Sequence, residues 1–199
     1  MTTTLRRIVL FVLLLSGTAA LGASPYARQL RDVDGTMHDL FKPEGRANVL
    51  FFIASDCPIS NGYAPEIQRI CSDYDKKGVL CALVYEDASI ATDRVRAHRD
   101  EYHYTGIPAV IDRDRAVARR ANATVTPQAV VVGAAGIVKY RGRMDNQYAA
   151  LGKPRRVVTV HDVRDALDAV LAGRAVAHPE TEAFGCFIAP GAVVRRPGL

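Results

Sequence analysis

None of the four cysteines in this 199-residue chain is spaced CxxC, and no HxxxH pair accompanies them. The common structural-zinc arrangements are therefore missing. No apolar run approaches the ~20 residues that a helix needs to cross a bilayer. Blocks of like charge are missing too. Lys and Arg total 26 against 21 Asp and Glu, a net charge of +5. Arg94, Arg96, Arg99, Arg113, Arg115, Arg119 and Arg120 are scattered among acids, the pattern of a solvated face rather than a nucleic-acid surface. The chain holds no internal repeat and no low-complexity segment.

What is present begins with the N-terminus. Arg6 and Arg7 form a basic head, residues 8–15 are uninterruptedly apolar, and Gly17, Thr18, Ala19, Ala20, Gly22 and Ala23 follow. These are the parts of a secretory signal peptide, expected over residues 1–23, with an uncleaved anchor as the alternative. No cysteine lies at the expected cleavage point, so a lipoprotein anchor is not expected. Removing the two leader arginines lowers the net charge from +5 to +3. The remaining residues suffice for one domain with a core of its own. In an exported chain, thiols can persist as disulfides, and four cysteines allow three pairings.

Strand and helix signals then alternate. Asp34-Gly35 between residues 29–33 and 37–41 predicts a hairpin. Residues 48–53, apolar from Val49 on, and residues 79–85 read as strands buried on both faces. Between residues 58 and 76, Tyr63, Ile67, Ile70, Cys71 and Tyr74 recur at helical spacing, with Pro65 marking either a kink or the start of the regular part. Further helices are predicted over 87–104, 113–122 and 160–171, a short strand over 108–111, and a hairpin of 128–132 with 137–140. The expected class is α/β, with a mixed central sheet, helices on both faces, an N-terminal hairpin and a C-terminal tail. The expected organisation is a domain over 24–173 and a tail over 174–199 that holds Cys186.

Cys57 stands at the junction between the first buried strand and the helix after it. Free amides at a helix start stabilise a thiolate, and the thiolate is the nucleophile in disulfide exchange. Asp56 beside it opposes that effect by like-charge repulsion.

Three segments carry a resemblance. Residues 51–60, FFIASDCPIS, look like the strand and CxxC-type motif of the thioredoxin-like superfamily. Val125-Thr126-Pro127 matches its threonine–cis-proline turn, and residues 136–142, GIVKYRG, are similar to its edge hairpin. Within that superfamily the chain resembles bacterial redoxin-domain proteins that carry DCPISN and a Gly-Cys-x-Ile tail, here Gly185-Cys186-Phe187-Ile188. The resemblance implies that Cys57 is the nucleophile, that Pro127 is cis and faces it, and that Pro58, Ser60, Thr126 and Pro127 form the substrate-binding surface.

Ser60 occupies the place of the usual second cysteine, so the motif alone cannot close a disulfide. Cys186 is the candidate resolving cysteine; its alternatives are a free thiol, an intermolecular thiol or a disulfide without catalytic role. Cys71 and Cys81 read as buried packing residues or a structural bridge. Peroxiredoxins share this architecture, but their reactive cysteine follows a threonine by three positions, and that place is Ala54. The copper-handling pattern would need a cysteine at Asn61. His38, His98, His103, His161 and His178 lack ligand spacing and read mainly as surface residues.

The expectation is an extracytoplasmic thiol–disulfide oxidoreductase-like protein, periplasmic or secreted. It needs no cofactor and no metal, and its partners are protein or small-molecule thiols and disulfides. Nucleic acid and stable membrane insertion after signal cleavage are not expected. The alternative is a redoxin fold kept as a non-catalytic binding or assembly module that captures a partner or Cu(I) through Cys57, and a thiol peroxidase ranks last.

Overall fold

In the computed structural model, residues 29–188 are described. The leader expected over 1–23 and the end of the tail lie outside them. The elements run β1 (Leu30–Arg31), β2 (Met37–His38), β3 (Ala47–Ile53), α1 (Pro58–Gly62), α2 (Ala64–Asp75), β4 (Val79–Tyr85), α3 (Thr92–Glu101) and β5 (Ala109–Ile111). They continue with α4 (Ala116–Ala121), β6 (Val125–Thr126), β7 (Gln128–Val132), β8 (Val138–Gly142), β9 (Tyr148–Ala150), β10 (Lys153–Pro154), α5 (Asp162–Leu171) and β11 (Cys186–Phe187).

The main sheet has the order β5-β4-β3-β7-β8. β3 is parallel to β4 and β4 to β5, whereas β7 lies antiparallel to both β3 and β8. Every residue of β3 is buried, because helices cover both faces. Val49, Phe51 and Ile53 join one core with Ile67, Ile70 and Tyr74 of α2 and Val163, Ala166 and Leu167 of α5. Leu50 and Phe52 join the other, with Val117, Ala118 and Ala121 of α4 and with Leu40 and Phe41. Each fully buried side chain of this size contributes roughly 1.5–3 kcal/mol, so β3 and β4 form the firmest part of the molecule.

The predicted long helix over 58–76 divides at Tyr63, and Pro65 falls in the first turn of α2, where its missing N–H leaves no bond unmade. Gly78, with φ of 80°, closes the connection to β4. The N-terminal hairpin is shorter than its apolar pattern suggests. The Asp32 carboxylate accepts the amides of Asp34 and Thr36, each at 2.9 Å, and holds the turn. The Asp32 amide donates across the turn to the Thr36 carbonyl at 2.8 Å, and the Val33 amide donates to the Ala109 carbonyl at 2.9 Å, which ties the hairpin to the edge of the main sheet beside the Asp32–Val110 bridge. α3 is likewise shorter than the predicted 87–104 helix, because Asp87 folds a separate turn by accepting the amide and hydroxyl of Ser89.

Cys71 on α2 and Cys81 on β4 are joined by a disulfide, with their Cα atoms 5.7 Å apart. Among the described residues no helix is long and apolar enough to cross a membrane. Residues 174–188 do not hang free of the domain. The Arg141 amide donates to the Pro179 carbonyl at 2.9 Å, the Thr181 amide donates to the Arg141 carbonyl at 3.1 Å, and β11 pairs with β6.

Candidate active site

β3 ends at Ile53, and the chain turns through residues 54–56 to make Cys57 the N-cap of α1, in extended conformation (φ −91°, ψ 111°). Its carbonyl accepts the Asn61 amide at 3.0 Å. Its side chain caps no amide and is 1% exposed. Pro58 lies exposed in the first turn of α1. Ser60 is buried, and its hydroxyl oxygen accepts the Ala54 amide at 3.3 Å, which ties the turn shut.

Opposite stands the loop that joins β6 to β7. The Thr126–Pro127 bond is cis, and the Thr126 carbonyl oxygen lies 3.5 Å from Cys57 Sγ. The strand edge at Thr126 is already taken by the tail. β11 pairs antiparallel with β6, Cys186 opposite Thr126 and Phe187 opposite Val125, and the Ile188 amide donates to the Thr124 carbonyl at 2.9 Å. A Cβ on Gly185 would stand 2.0 Å from the Thr126 carbonyl oxygen, so the approach requires glycine. This packing sets Cys186 Sγ 3.0 Å from Cys57 Sγ, both as free thiols. Five of the sequence-predicted site residues, Cys57, Ser60, Thr126, Pro127 and Cys186, thus converge, while Pro58 faces solvent.

The two thiols differ in acidity. Burial pushes the Cys57 thiol up, but the hydrogen bond from Cys186 and those from the amide and hydroxyl of Ser60 outweigh it, and the net direction is down. Ser60 therefore acts as a donor to the sulfur where a redox motif would carry its second cysteine. Cys186 is pushed up to about 11, first by its hydrogen bond to Cys57, then by burial, and then by the negative charges of Cys57, Asp56 and Glu86. The Asp56 charge bears on Cys186, although it is the sequence neighbour of Cys57. Closing a disulfide requires the sulfurs to move about 1 Å nearer, given a bond length of about 2.05 Å.

Behind this layer lies a residue that sequence reasoning placed on the surface. His98 is fully buried. Its Nε2 is 2.9 Å from Asn61 Oδ1, and its Nδ1 is 2.8 Å from the Tyr85 hydroxyl. Asn61 Nδ2 donates to the Ser55 carbonyl at 3.3 Å, which fixes the amide orientation. His98 thus donates from Nε2 to Asn61 and accepts from Tyr85 at Nδ1, and the chain of bonds holds the turn before Cys57. Burial pushes its pKa down, assisted by the Arg94 charge. The available signal was Val95, His98 and Tyr102, an inward stripe at helical spacing amid the charges of α3. His38 is tied to the Asp32 carboxylate at 2.8 Å, whereas His103, His161 and His178 are exposed. Among the described residues no group of three or more His, Cys, Asp or Glu side chains is placed to hold a metal ion.

Solved structures share this architecture. A hypothetical protein of Sinorhizobium meliloti 1021 is 26% identical, with a TM-score of 0.70 over 84% of this chain and 93% of its own. An uncharacterized conserved protein of Geobacillus kaustophilus is 25% identical, with a TM-score of 0.69 over 87% of this chain and 92% of its own. A secreted Mycobacterium tuberculosis disulfide oxidoreductase homologous to E. coli DsbE is 16% identical, with a TM-score of 0.52 over 74% of this chain and 96% of its own, and shares the thioredoxin-like fold. No curated protein matches the chain. Residues 25–141 match the AhpC/TSA family, and with more than half its length inside that match and a thioredoxin-like redoxin sheet beneath Cys57, the chain belongs to that family.

Proposed function

We propose that this protein is an extracytoplasmic thiol–disulfide exchange protein whose redox couple is Cys57 with Cys186. The observation that carries the reading is the 3.0 Å separation of the two sulfurs, produced by a tail strand laid on the cis-proline loop. The tail supplies the second sulfur that Ser60 does not. In the reducing direction of the partner, an external disulfide RSSR and the two protein thiols become two RSH and the Cys57–Cys186 disulfide. Two electrons and two protons pass to RSSR, and the reverse reaction oxidises two external thiols. Thr126, Pro127 and Ser60 act by placing the two sulfurs.

Three observations support the compartment. Residues 1–23 have the form of a secretory leader. Cys71 and Cys81 are joined, and disulfides persist chiefly in oxidising compartments. The M. tuberculosis protein of similar fold is described as secreted. At the position where peroxiredoxins carry a threonine, Ala54 has no hydroxyl to orient a peroxide.

The deciding experiment equilibrates the mature protein in glutathione buffers of varied ratio, alkylates free thiols and maps peptides without reduction. The expected result is one two-electron transition with a Cys57–Cys186 crosslinked peptide. Both cysteines remaining free at every ratio would overturn the reading.

A further inference from the structure

Which sulfur meets the external partner is a separate question, and the geometry answers it against the sequence-based order of roles. Cys57 is 1% exposed, covered by β11 and the Thr126 carbonyl. Cys186 is exposed. A cavity of about 490 Å³ opens beside it, lined among others by Ser55, Asp56, Glu86, Arg115, Thr126 and Phe187, and Cys57 is not among the lining residues. The edge of β6, where an extended client would lie, is filled by the tail.

We propose that a compact external thiol docks in this cavity and reacts at Cys186, with Cys57 as the leaving group. The inference rests on the Cys57–Cys186 couple proposed above. In the oxidised protein, a thiolate RS⁻ attacks Cys186 Sγ. The new RS–Cys186 bond forms as the Cys186–Cys57 bond breaks, and its electron pair departs on Cys57 as thiolate. A second RS⁻ attacks the external sulfur, giving RSSR and the Cys186 thiolate, which takes a proton from solvent. Exchange is faster when the departing thiol is the more acidic one. The Cys57 sulfur keeps the lowering contacts of the Ser60 amide and hydroxyl when Cys186 has no S–H to donate, whereas Cys186 faces the negative charges of Asp56 and Glu86, so Cys57 is better suited to depart.

The charges around the cavity bear on the kind of thiol. Asp56 and Glu86 face Cys186, and Asp87, held ionised by Ser89, also lines the cavity. Glu86 and Arg115 offset one another at 3.6 Å and Arg94 is paired with Glu101 at 3.8 Å, so the excess negative charge of the lining lies on Asp56 and Asp87. A thiol that bears an ammonium group is therefore favoured over one that bears an anion.

The test uses the oxidised mature protein, after peptide mapping has established its Cys57–Cys186 link. Cysteamine or mercaptoethanesulfonate is added, the mixture is quenched with acid on a rising series of times, and peptic peptides are analysed without reduction. The expected early mixed disulfide sits on Cys186, at least about tenfold over Cys57. Compared at equal thiolate concentration, cysteamine should react about threefold faster than the sulfonate at low salt, as the two unit charges by which they differ imply across a solvated site. An early adduct that lies on Cys57 to an equal or greater extent overturns the entry point. Equal or faster reaction of the sulfonate overturns the charge assignment. Absence of the Cys57–Cys186 link at the mapping step removes the exchange reading itself, and this inference with it.

Discussion

The molecule holds two cysteine pairs built on opposite plans. Cys71 and Cys81 are ten residues apart in sequence and sit on α2 and β4, two elements already packed through the core. Both are nearly buried, at 8% and 7% exposure. The bond joins parts that have no alternative arrangement. Cys57 and Cys186 are 129 residues apart. One lies at a turn and the other on a two-residue strand of the tail. Their exposures and their acidities point in opposite directions. A bridge between rigid elements acts as a staple, whereas a pair between a fixed turn and a lightly held strand can open and close as part of a reaction.

The strongest way to break the comparison is to remove one sulfur from each pair. Cys57→Ser should lower completed two-electron reduction of a small disulfide, read as release of the second RSH, at least about a hundredfold, since a hydroxyl cannot displace RS⁻ from Cys186. Cys71→Ser should leave the rate within about twofold. Stopped-flow exchange assays read both, and a comparable loss in the two variants would end the distinction. With Cys57 and Cys186 as free thiols, stability should show the reverse ranking. A Cys71→Ala/Cys81→Ala double variant should lose about 3 kcal/mol in urea titration, the loop-closure value for a ring of that size. A loss within 0.5 kcal/mol would mean that the bond adds little to packing already in place.

A finer test acts on the tail alone. Gly185→Ala places a methyl group against the Thr126 carbonyl and should lift β11 from β6. Alkylation of Cys57 in the reduced protein should then rise about tenfold as cover is lost and thiolate becomes reachable. An unchanged rate would show that β11 does not shield the sulfur. The smallest effect concerns His98. Its pKa is lowered by the fold, so its contribution to stability is present above the ordinary histidine value and is lost as pH falls through the folded one. Wild-type stability should therefore decline on acidification below about pH 6.5 more steeply than that of His98→Gln. Parallel profiles from thermal melts would remove this histidine from the acid response.

The legible parts of the fold share a cause. β4 begins and ends where its apolar run does, because a strand covered on both faces is apolar throughout, and β3 extends past its run only through Ala47 and Asn48, whose side-chain amide donates to the Leu40 carbonyl at 2.9 Å. Pro65 marked the regular start of α2. The pairing of β6 with β11 was illegible, since two residues in each strand leave no periodicity to read. β9 and β10, three and two residues long, are likewise too short to show a period, with Pro154 adding a residue that strands disfavour. At the site, Cys57, Thr126 and Pro127 were visible through the motif and Cys186 through the tail. Glu86 and Arg115 carry no local signature and reach the cavity only through tertiary packing. His98 was masked by the charges around it in α3.

The tail contact has a consequence for the unfolded chain. A bond between residues 129 positions apart would close a ring that takes in every element from α1 to β11 and leaves β1, β2 and β3 outside it. Ring closure of that size restricts the denatured ensemble by about 5 kcal/mol, against about 3 for the Cys71–Cys81 ring. Linkage is reciprocal, so whatever the ring adds to the native fold, the native fold adds to the ring's resistance to reduction. In the proposed couple, oxidation would thereby raise the melting temperature of the domain, and a change of electron supply would become a change in how long the molecule survives.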